Sequence, residues 1–401
     1  MRMIKIVGAV ALLALALQPA AATAAANKSD NVSVVAEVKY WGGSHLAFGD
    51  GLAYAGQWNG RGERPKVGGV RIMDITGKPR EVGFFKCSGD DVDVAFVKPG
   101  VIAVGHHAAA CNALKDDESE DDAGVYLLDV SNPSKPTMLG DLNLPRQVQG
   151  QDRTGKQNHS ITKYPGKPII YTNPGGLPSN GQMITHMIDV SNPEKPKVAA
   201  EFRPPPPSTG CHDFSFHFDK RGKFGFCAGL GGTSIWDVSD PLAPTVLTHI
   251  VNPFIQFSHY AVASADGEIL AINDENITAN EGAEPESPTG AMWFYDISDI
   301  TSPQLLSFFS PRRAASPICS FESPDGPCTS HDFNWANNRT VVVPFYTGGF
   351  SVIDVKDPAT PTETAFYQPE GGSMWSAHYY KGRIYTNDQL LGFTALEVDG
   401  L

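Results

Sequence analysis

Apolar residues in this chain come in short runs that close on an acidic residue followed by Val or Ile. The first is Val70-Arg71-Ile72-Met73-Asp74-Ile75 and the next Val125-Tyr126-Leu127-Leu128-Asp129-Val130. The pattern returns at Thr185-His186-Met187-Ile188-Asp189-Val190, Thr233-Ser234-Ile235-Trp236-Asp237-Val238, Met292-Trp293-Phe294-Tyr295-Asp296-Ile297 and Phe350-Ser351-Val352-Ile353-Asp354-Val355. A degenerate seventh copy is Phe393-Thr394-Ala395-Leu396-Glu397-Val398. Runs this short, bounded by Ser, Asn, Asp and Pro, predict strands and turns rather than helices. From Asp74 to Glu397 the copies recur about every 54 residues, the period of a propeller or a related array of small sheets.

Each period holds four strands. In the fifth, strand a is expected over Ser258 to Ala263, strand b over Ile269 to Asn273, strand c over Met292 to Ile297 and strand d over Gln304 to Phe309. The seventh copy stops at Leu401 with no fourth strand, while Val32 to Tyr40 precedes the first repeat and has no other partner. The N-terminal strand is therefore expected to supply strand d of the last blade, which closes the ring and removes open sheet edges. The fold class read from the chain is all-β, a seven-bladed propeller of four-stranded blades spanning 27–401. Trp236, Trp293 and Tyr295 alternate along c strands and read as core between blades.

The segments Asp129-Val130-Ser131-Asn132-Pro133, Asp189-Val190-Ser191-Asn192-Pro193 and Asp237-Val238-Ser239-Asp240-Pro241 resemble the Leu-Val-Ile-Val-Asp (LVIVD) repeat family of bacterial propellers. The resemblance covers essentially everything after residue 26. It implies the fold and is nearly silent on activity, because propellers host many unrelated functions. The first copy, Asp74-Ile75-Thr76-Gly77, and the last, Glu397-Val398-Asp399-Gly400, depart from the pattern, as end repeats commonly do.

Residues 1–26 read as an export leader. Arg2 and Lys5 precede the apolar run Ile6 to Leu17, and Ala22-Thr23-Ala24 and Ala24-Ala25-Ala26 both fit a small-x-small cleavage site. No later stretch approaches the length of a spanning helix, so a secreted or periplasmic chain without a transmembrane anchor is expected. Net charge is -13 with no Lys/Arg run, which argues against a nucleic-acid partner. The acidic stretch Asp116 to Asp122 reads as a solvated loop, with weak Ca²⁺ binding as the alternative.

Histidine placement carries the chemistry. Aligning the starts of the a strands gives His45, Asp93, His159, His212, His259, His331 and His378 at one position, so six of the 11 histidines fall there. Strand a is innermost, so the alignment predicts a ring of six imidazoles and one carboxylate around the channel. The connections from b to c, and from d to the next a, are the long ones, and all of them leave the face on which the a strands start. Imidazole is the commonest protein ligand for such ions as Fe, Cu and Zn. The expected cofactor is a transition metal ion (Fe, Cu, Zn or Mn) held by several of the six histidines. Carotenoid-cleaving dioxygenases, seven-bladed propellers that hold iron with four axial histidines, are similar in geometry, although the repeat sequences do not match. Two other readings of the ring stand beside this one: a polar channel lining, and bonding within each blade as in WD-repeat propellers.

Asp213 and Asp332 follow His212 and His331 and are expected to support the next blade's imidazole. Asp93, Asp274 and Asp388 are candidate catalytic carboxylates, the last two in Asn-Asp pairs at corresponding ends of b strands, where ordinary turn chemistry is the alternative. His106 and His107 are candidates to reach over the mouth. Six Cys in an exported chain suggest disulfides, with Cys87–Cys111, Cys211–Cys227 and Cys319–Cys328 as the local pairings among the 15 arrangements that six allow. Two function classes follow. One is a secreted metal-dependent oxidoreductase or lyase acting on a small or oligomeric substrate at the long-loop face. The other is a non-catalytic binding or surface-interaction propeller with a structural ion or polar channel. The sequence sets neither the metal nor the oligomeric state.

Overall fold

The structure, a computed structural model, describes residues 26–57, 68–110, 124–144, 158–174, 183–275, 290–311 and 328–401. Residues 1–25, the acidic stretch 116–122, Cys111 and Cys319 lie outside the described residues, as do most of the residues between strands b and c and between d and the next a. The described strands make seven antiparallel blades. Blades 3, 4 and 5 are separate four-stranded sheets. Blades 1 and 2 share one 19-residue strand, Arg80–Lys98, which serves first as strand d and then as strand a. Blades 6 and 7 join at their inner strands through a short parallel pairing, Asp332 with Ser376 and Phe333 with Ala377.

The repeat is a turn chemistry. The acidic residue ending strand c accepts the backbone N–H two residues on: Asp129 from Ser131 at 2.8 Å, Asp189 from Ser191 at 2.9 Å, Asp237 from Ser239 at 2.8 Å and Asp296 from Ser298 at 2.8 Å. These are Asx turns, and the same bonds hold the four carboxyls below their usual range. The apolar residue that follows buries its side chain and hands its N–H to the a–b turn of its own blade, as Val130 does to Gly100 and Val238 to Lys223. A second Asx turn follows on Asp240 and Asp299. In blades 1 to 6 the c–d pairing also breaks register two residues before that acidic end, as between Ile235 and Trp236. A bulge strengthens local twist, and repeating it lets adjacent blades nest face to face.

The core lies between blades. Seven apolar clusters each draw from two successive blades, for example Phe226 and Ile235 of blade 4 with Ile272 and Trp293 of blade 5. Trp236 and Tyr295 are likewise buried. The seventh cluster closes the ring, packing Leu46 and Ala53 of blade 1 against Tyr385 and Phe393 of blade 7. Val32–Val38 pairs antiparallel with Gly392–Val398 and is strand d of blade 7. Asn27–Lys28 adds a short fifth strand to the outer edge of blade 6.

A chain starting at Gly42 therefore exposes the whole edge of Gly392–Val398 and uncovers Val32's buried site. It is expected to aggregate on refolding and to lose the cooperative melting transition. A truncated chain that stays soluble and melts with the full-length protein would show that closure is dispensable.

Candidate metal centre

Inner strands from blades 3 to 6 bring four imidazoles together. By pairing with strand b, His159, His212, His259 and His331 stand at one level of the channel. Three of them donate their backbone N–H to matching carbonyls, His159 to Asn173, His212 to Ala228 and His331 to Pro344. Ring centroids follow at 4.2 Å (His159–His212), 4.4 Å (His212–His259) and 4.1 Å (His259–His331). Cys211, directly before His212, is disulfide-bonded to Cys227 on strand b, which anchors the start of that inner strand. Cys87 and Cys328 are also disulfide-bonded, to partners outside the described residues.

The single ring of seven equivalent residues does not hold. His45 and Asp93 stand one residue further along their strands, level with Ser160, Asp213, Tyr260, Asp332 and Ser376. His45 still closes the circle, with its ring 6.1 Å from His331 and 6.3 Å from His159. In blade 7 the level of the four histidines is occupied by Trp375, and His378 lies three residues deeper. His378 faces Asp332 instead, Nε2 to Oδ1 at 3.0 Å. The a–b turns cause the error. They range from Asp50-Gly51 to residues 264–268, so distance along the chain does not fix depth in the channel.

A carboxylate absent from the sequence reading completes the group. Glu275 is the first residue after strand Ile269–Asp274, fixed by its N–H to Phe257 O at 3.0 Å. Its Oε2 is 3.4 Å from His259 Nε2 and its Oε1 is 3.5 Å from His331 Nε2. His259, Glu275 and His331 form one buried set of converging donor atoms, and His159, His212 and His259 form another that shares His259. The signal was adjacent to Asp274, in Asn273-Asp274-Glu275, but Gln389 in blade 7 breaks the repetition.

The electrostatics suit neutral ligands. His259 and His331 are essentially unexposed, and burial, then neighbouring imidazoles, push His259 well below the usual imidazole range and His331 down to about 3. His331 Nδ1 is 3.0 Å from Trp375 O. A carbonyl only accepts, so Nδ1 carries the hydrogen and Nε2 keeps its lone pair toward Glu275. Among the described residues neither nitrogen of His259 makes a hydrogen bond, while Nδ1 lies 3.2 Å from Asp213 Oδ2 of the preceding blade. Asp213 is nearer His259 than His212 (3.6 Å), and Asp332 faces the next blade's His378. Burial opposes ionisation of both carboxyls. The imidazole of His212 nonetheless holds Asp213 low, and those of His378 and His45 hold Asp332 well below the usual range.

The three carboxylates proposed for catalysis work on the backbone. Asp274 Oδ1 accepts the N–H of Gln256 and Phe257 at 3.1 and 2.9 Å. Asp388 Oδ1 accepts those of Ser373, Leu390 and Leu391 at 3.0, 2.8 and 3.0 Å. Both are clasps for the loop into their own blade, and burial raises both carboxyls, Asp274 to about 6. Asp93 accepts from Ile161 N of blade 3 at 2.6 Å and sits 3.7 Å from His45 Nδ1, with burial raising it to about 7. His106 does not reach the mouth; it stacks on Tyr126 within blade 2 at 4.2 Å. The side chain of His107 lies outside the described residues.

Comparison with known proteins agrees with this architecture. The LVIVD repeat family matches residues 120–143. The chain is a β-propeller that carries an LVIVD repeat. No curated protein matches it in sequence. Among solved structures it is similar to the Cps50 (Swd1) β-propeller domain of Myceliophteria thermophila, at 7% identity and TM-score 0.60 over 91% of this chain and 98% of that one. It is also similar to Saccharomyces cerevisiae Sqt1, at 8% identity and TM-score 0.53 over 90% and 83%, and to a Lactobacillus plantarum protein at 13% and 0.54 over 82% and 86%. Identities this low carry the fold alone. What distinguishes this propeller lies in its channel.

If Asp388 is a clasp, Asp388→Ala leaves three backbone N–H groups without their acceptor. The expected cost is about 2–3 kcal/mol, read as a lower melting temperature with metal content unchanged. Unchanged melting with altered metal content would return Asp388 to the site.

Proposed function

We propose that the chain is an exported metal-dependent enzyme, an oxidoreductase or lyase, that holds a transition-metal ion with His259, Glu275 and His331 at the channel mouth. The observation that carries this is the spacing of the donor atoms. Two ligand atoms bound tetrahedrally at 2.0–2.1 Å from one ion lie about 3.3 Å apart. Nε2 of His259 and Nε2 of His331 lie 3.4 and 3.5 Å from the two oxygens of Glu275. Neither buried nitrogen of His259 makes a hydrogen bond among the described residues; each faces a carboxylate, Nδ1 toward Asp213 and Nε2 toward Glu275, an arrangement that an ion beside Nε2 would satisfy.

The residues around the set have separable tasks. The Nδ1–H of His331 is spent on Trp375 O, which fixes its tautomer, and Asp213 faces Nδ1 of His259 in the same supporting position. Two imidazoles and one carboxylate leave coordination positions for water or substrate, the mark of a catalytic rather than a closed structural site. An ion there supplies Lewis-acid or redox chemistry to a bound small molecule. The open side is toward His159 and His212, the latter with 11% of its side chain exposed. Those imidazoles can extend the ligand set or pass protons to and from the reacting group. The Cys211–Cys227 disulfide supports an oxidising compartment.

A second reading, a binding propeller whose ion ties blade 5 to blade 6, is favoured by the complete burial of His259 and His331. Elemental analysis of untagged protein, then Co(II) substitution, separates the two. One stoichiometric ion, lost in His259→Ala and His331→Ala but kept in His378→Ala, is expected. An absorption spectrum of the Co(II) protein that shifts with azide marks an exchangeable position and an enzyme. A spectrum indifferent to azide marks the structural ion, and no bound metal in any preparation would overturn both.

The buried imidazoles also set the pH response. Folded His259 and His331 protonate well below the unfolded value of about 6.5. Metal retention should therefore stay flat from about pH 8 to pH 6 rather than fall through that range. For the metal-free protein the unfolded chain takes up the protons first, so stability is full above about pH 6.5 and declines as pH drops below it. Melting temperature followed against pH, with and without chelator, checks both; a metal affinity that falls tenfold between pH 7.5 and 6 would count against these ligands.

A further inference from the structure

A residue outside the ring controls the carboxylate of the proposed centre. Strands Thr340–Pro344 and Phe350–Asp354 of blade 6 are joined by a tight turn in which Phe345 N bonds Gly349 O at 2.6 Å and Gly348 N bonds Phe345 O at 2.7 Å. Within it Tyr346 has φ +42°, in the left-handed region that a bulky side chain enters only at a cost. Gly349, three residues on, takes φ +71° without penalty. The chain thus places an aromatic residue where glycine would sit unstrained, and holds it there. Tyr346 O accepts the N–H of Gly349 and of Met374, both at 3.0 Å. The neighbouring Thr347 Oγ1 lies 3.1 Å from Sγ of disulfide-bonded Cys328.

What this backbone achieves is the direction of the phenol. The Tyr346 ring is buried 5.0 Å from that of His331, and its hydroxyl donates to Glu275 Oε1 at 2.5 Å. Glu275 follows strand b, whereas His259 and His331 stand at the start of inner strands, and its carboxyl group can turn about its last torsion. Resting on the metal reading above, we propose that Tyr346 is a positioning residue that locks Glu275 with Oε2 presented toward His259 Nε2. Strain is retained at this turn because a relaxed backbone would aim the hydroxyl elsewhere.

The test is a double-mutant cycle on the full-length exported chain, with Zn(II) and Co(II) as probes and affinity read by competition against a chromophoric chelator. Tyr346→Phe keeps the ring and removes the donor. It is expected to weaken both metals by about 10–100-fold, the usual size of an outer-sphere loss, and to shift the Co(II) absorption bands. The metal-free variant should melt cooperatively close to wild type, which separates positioning from folding. In a Glu275→Gln background the same change should cost less than about threefold, because the partner it acts through is already altered. Equal losses in both backgrounds, or wild-type affinity and spectrum in Tyr346→Phe, would overturn the inference while leaving the metal centre standing. A wild-type chain that binds neither probe would remove both.

Discussion

Everything at the channel mouth depends on the ring closing between its first and last strands. Blades bury apolar residues on both faces, so a blade is complete only between two neighbours, and an open array would leave two such faces in water. Pairing Val32–Val38 with Gly392–Val398 removes that problem and brings Tyr385 and Phe393 against Leu46 and Ala53. Closure also sets how far each inner strand stands from the axis. His45 of blade 1 reaches within 6.1 Å of His331 of blade 6 only because blade 7 fills the gap between them. The imidazole circle is thus a product of the whole ring, although each histidine is placed by its own strand.

A polar channel inside such packing is costly unless its charges answer one another. Asp93, Asp213 and Asp332 are all buried, and each has an imidazole within ion-pair distance: His45 for the first, His259 and His212 for the second, His378 and His45 for the third. Alternation along the strand makes this possible, since a histidine and the residue after it point to opposite sides. Asp213 and Asp332 consequently meet the imidazole of the next blade, His259 and His378, while Asp93 meets that of the preceding blade, His45. Asp93 and Asp332 also hold parts of the scaffold, through Ile161 N and Ser376 Oγ. Electrostatics and blade registration are therefore the same set of contacts.

The fold was legible because its repeat is local chemistry. An Asp that caps its own turn and a Val or Ile that plugs the blade recur in six copies for reasons confined to a few residues, so they announce the period. The channel was half legible. His159, His212, His259 and His331 stand out as matching inner-strand starts, but depth within the channel depends on a–b turn lengths and on the bulge near the strand start. That is why His45 slipped by one residue and His378 by three. Asp274 and Asp388, candidate carboxylates with ordinary turn chemistry as the alternative, each hold backbone N–H groups of the loop into their own blade. Repetition itself was the warning, because seven similar blades repeat what holds a blade together. Glu275 and Tyr346 occur once, at places where no periodic signal exists, and only the folded chain brings them within 2.5 Å.

The same contrast locates function on a scaffold of near-symmetry. At the level of the four histidines, blades 1, 2 and 7 carry Ser44, Val92 and Trp375 in register, so imidazoles occupy four consecutive blades and stop. The apolar clusters between blades 3 and 4, 4 and 5, and 5 and 6 are built like the other four, while the imidazoles pack on one another and on Phe257, Tyr346 and Trp375. An arc of unlike residues on a ring of like blades is what the proposed off-axis centre would require. Glu275 and Tyr346 lie at its blade 5 and blade 6 end, and the more exposed His212 lies within it, which gives the arc a closed end and an open flank. A symmetric structural ion would sit on the axis and draw on the ring evenly; under the proposed reading an ion would instead lie against the wall formed by His259, Glu275 and His331, with the opposite side of the channel left for a substrate.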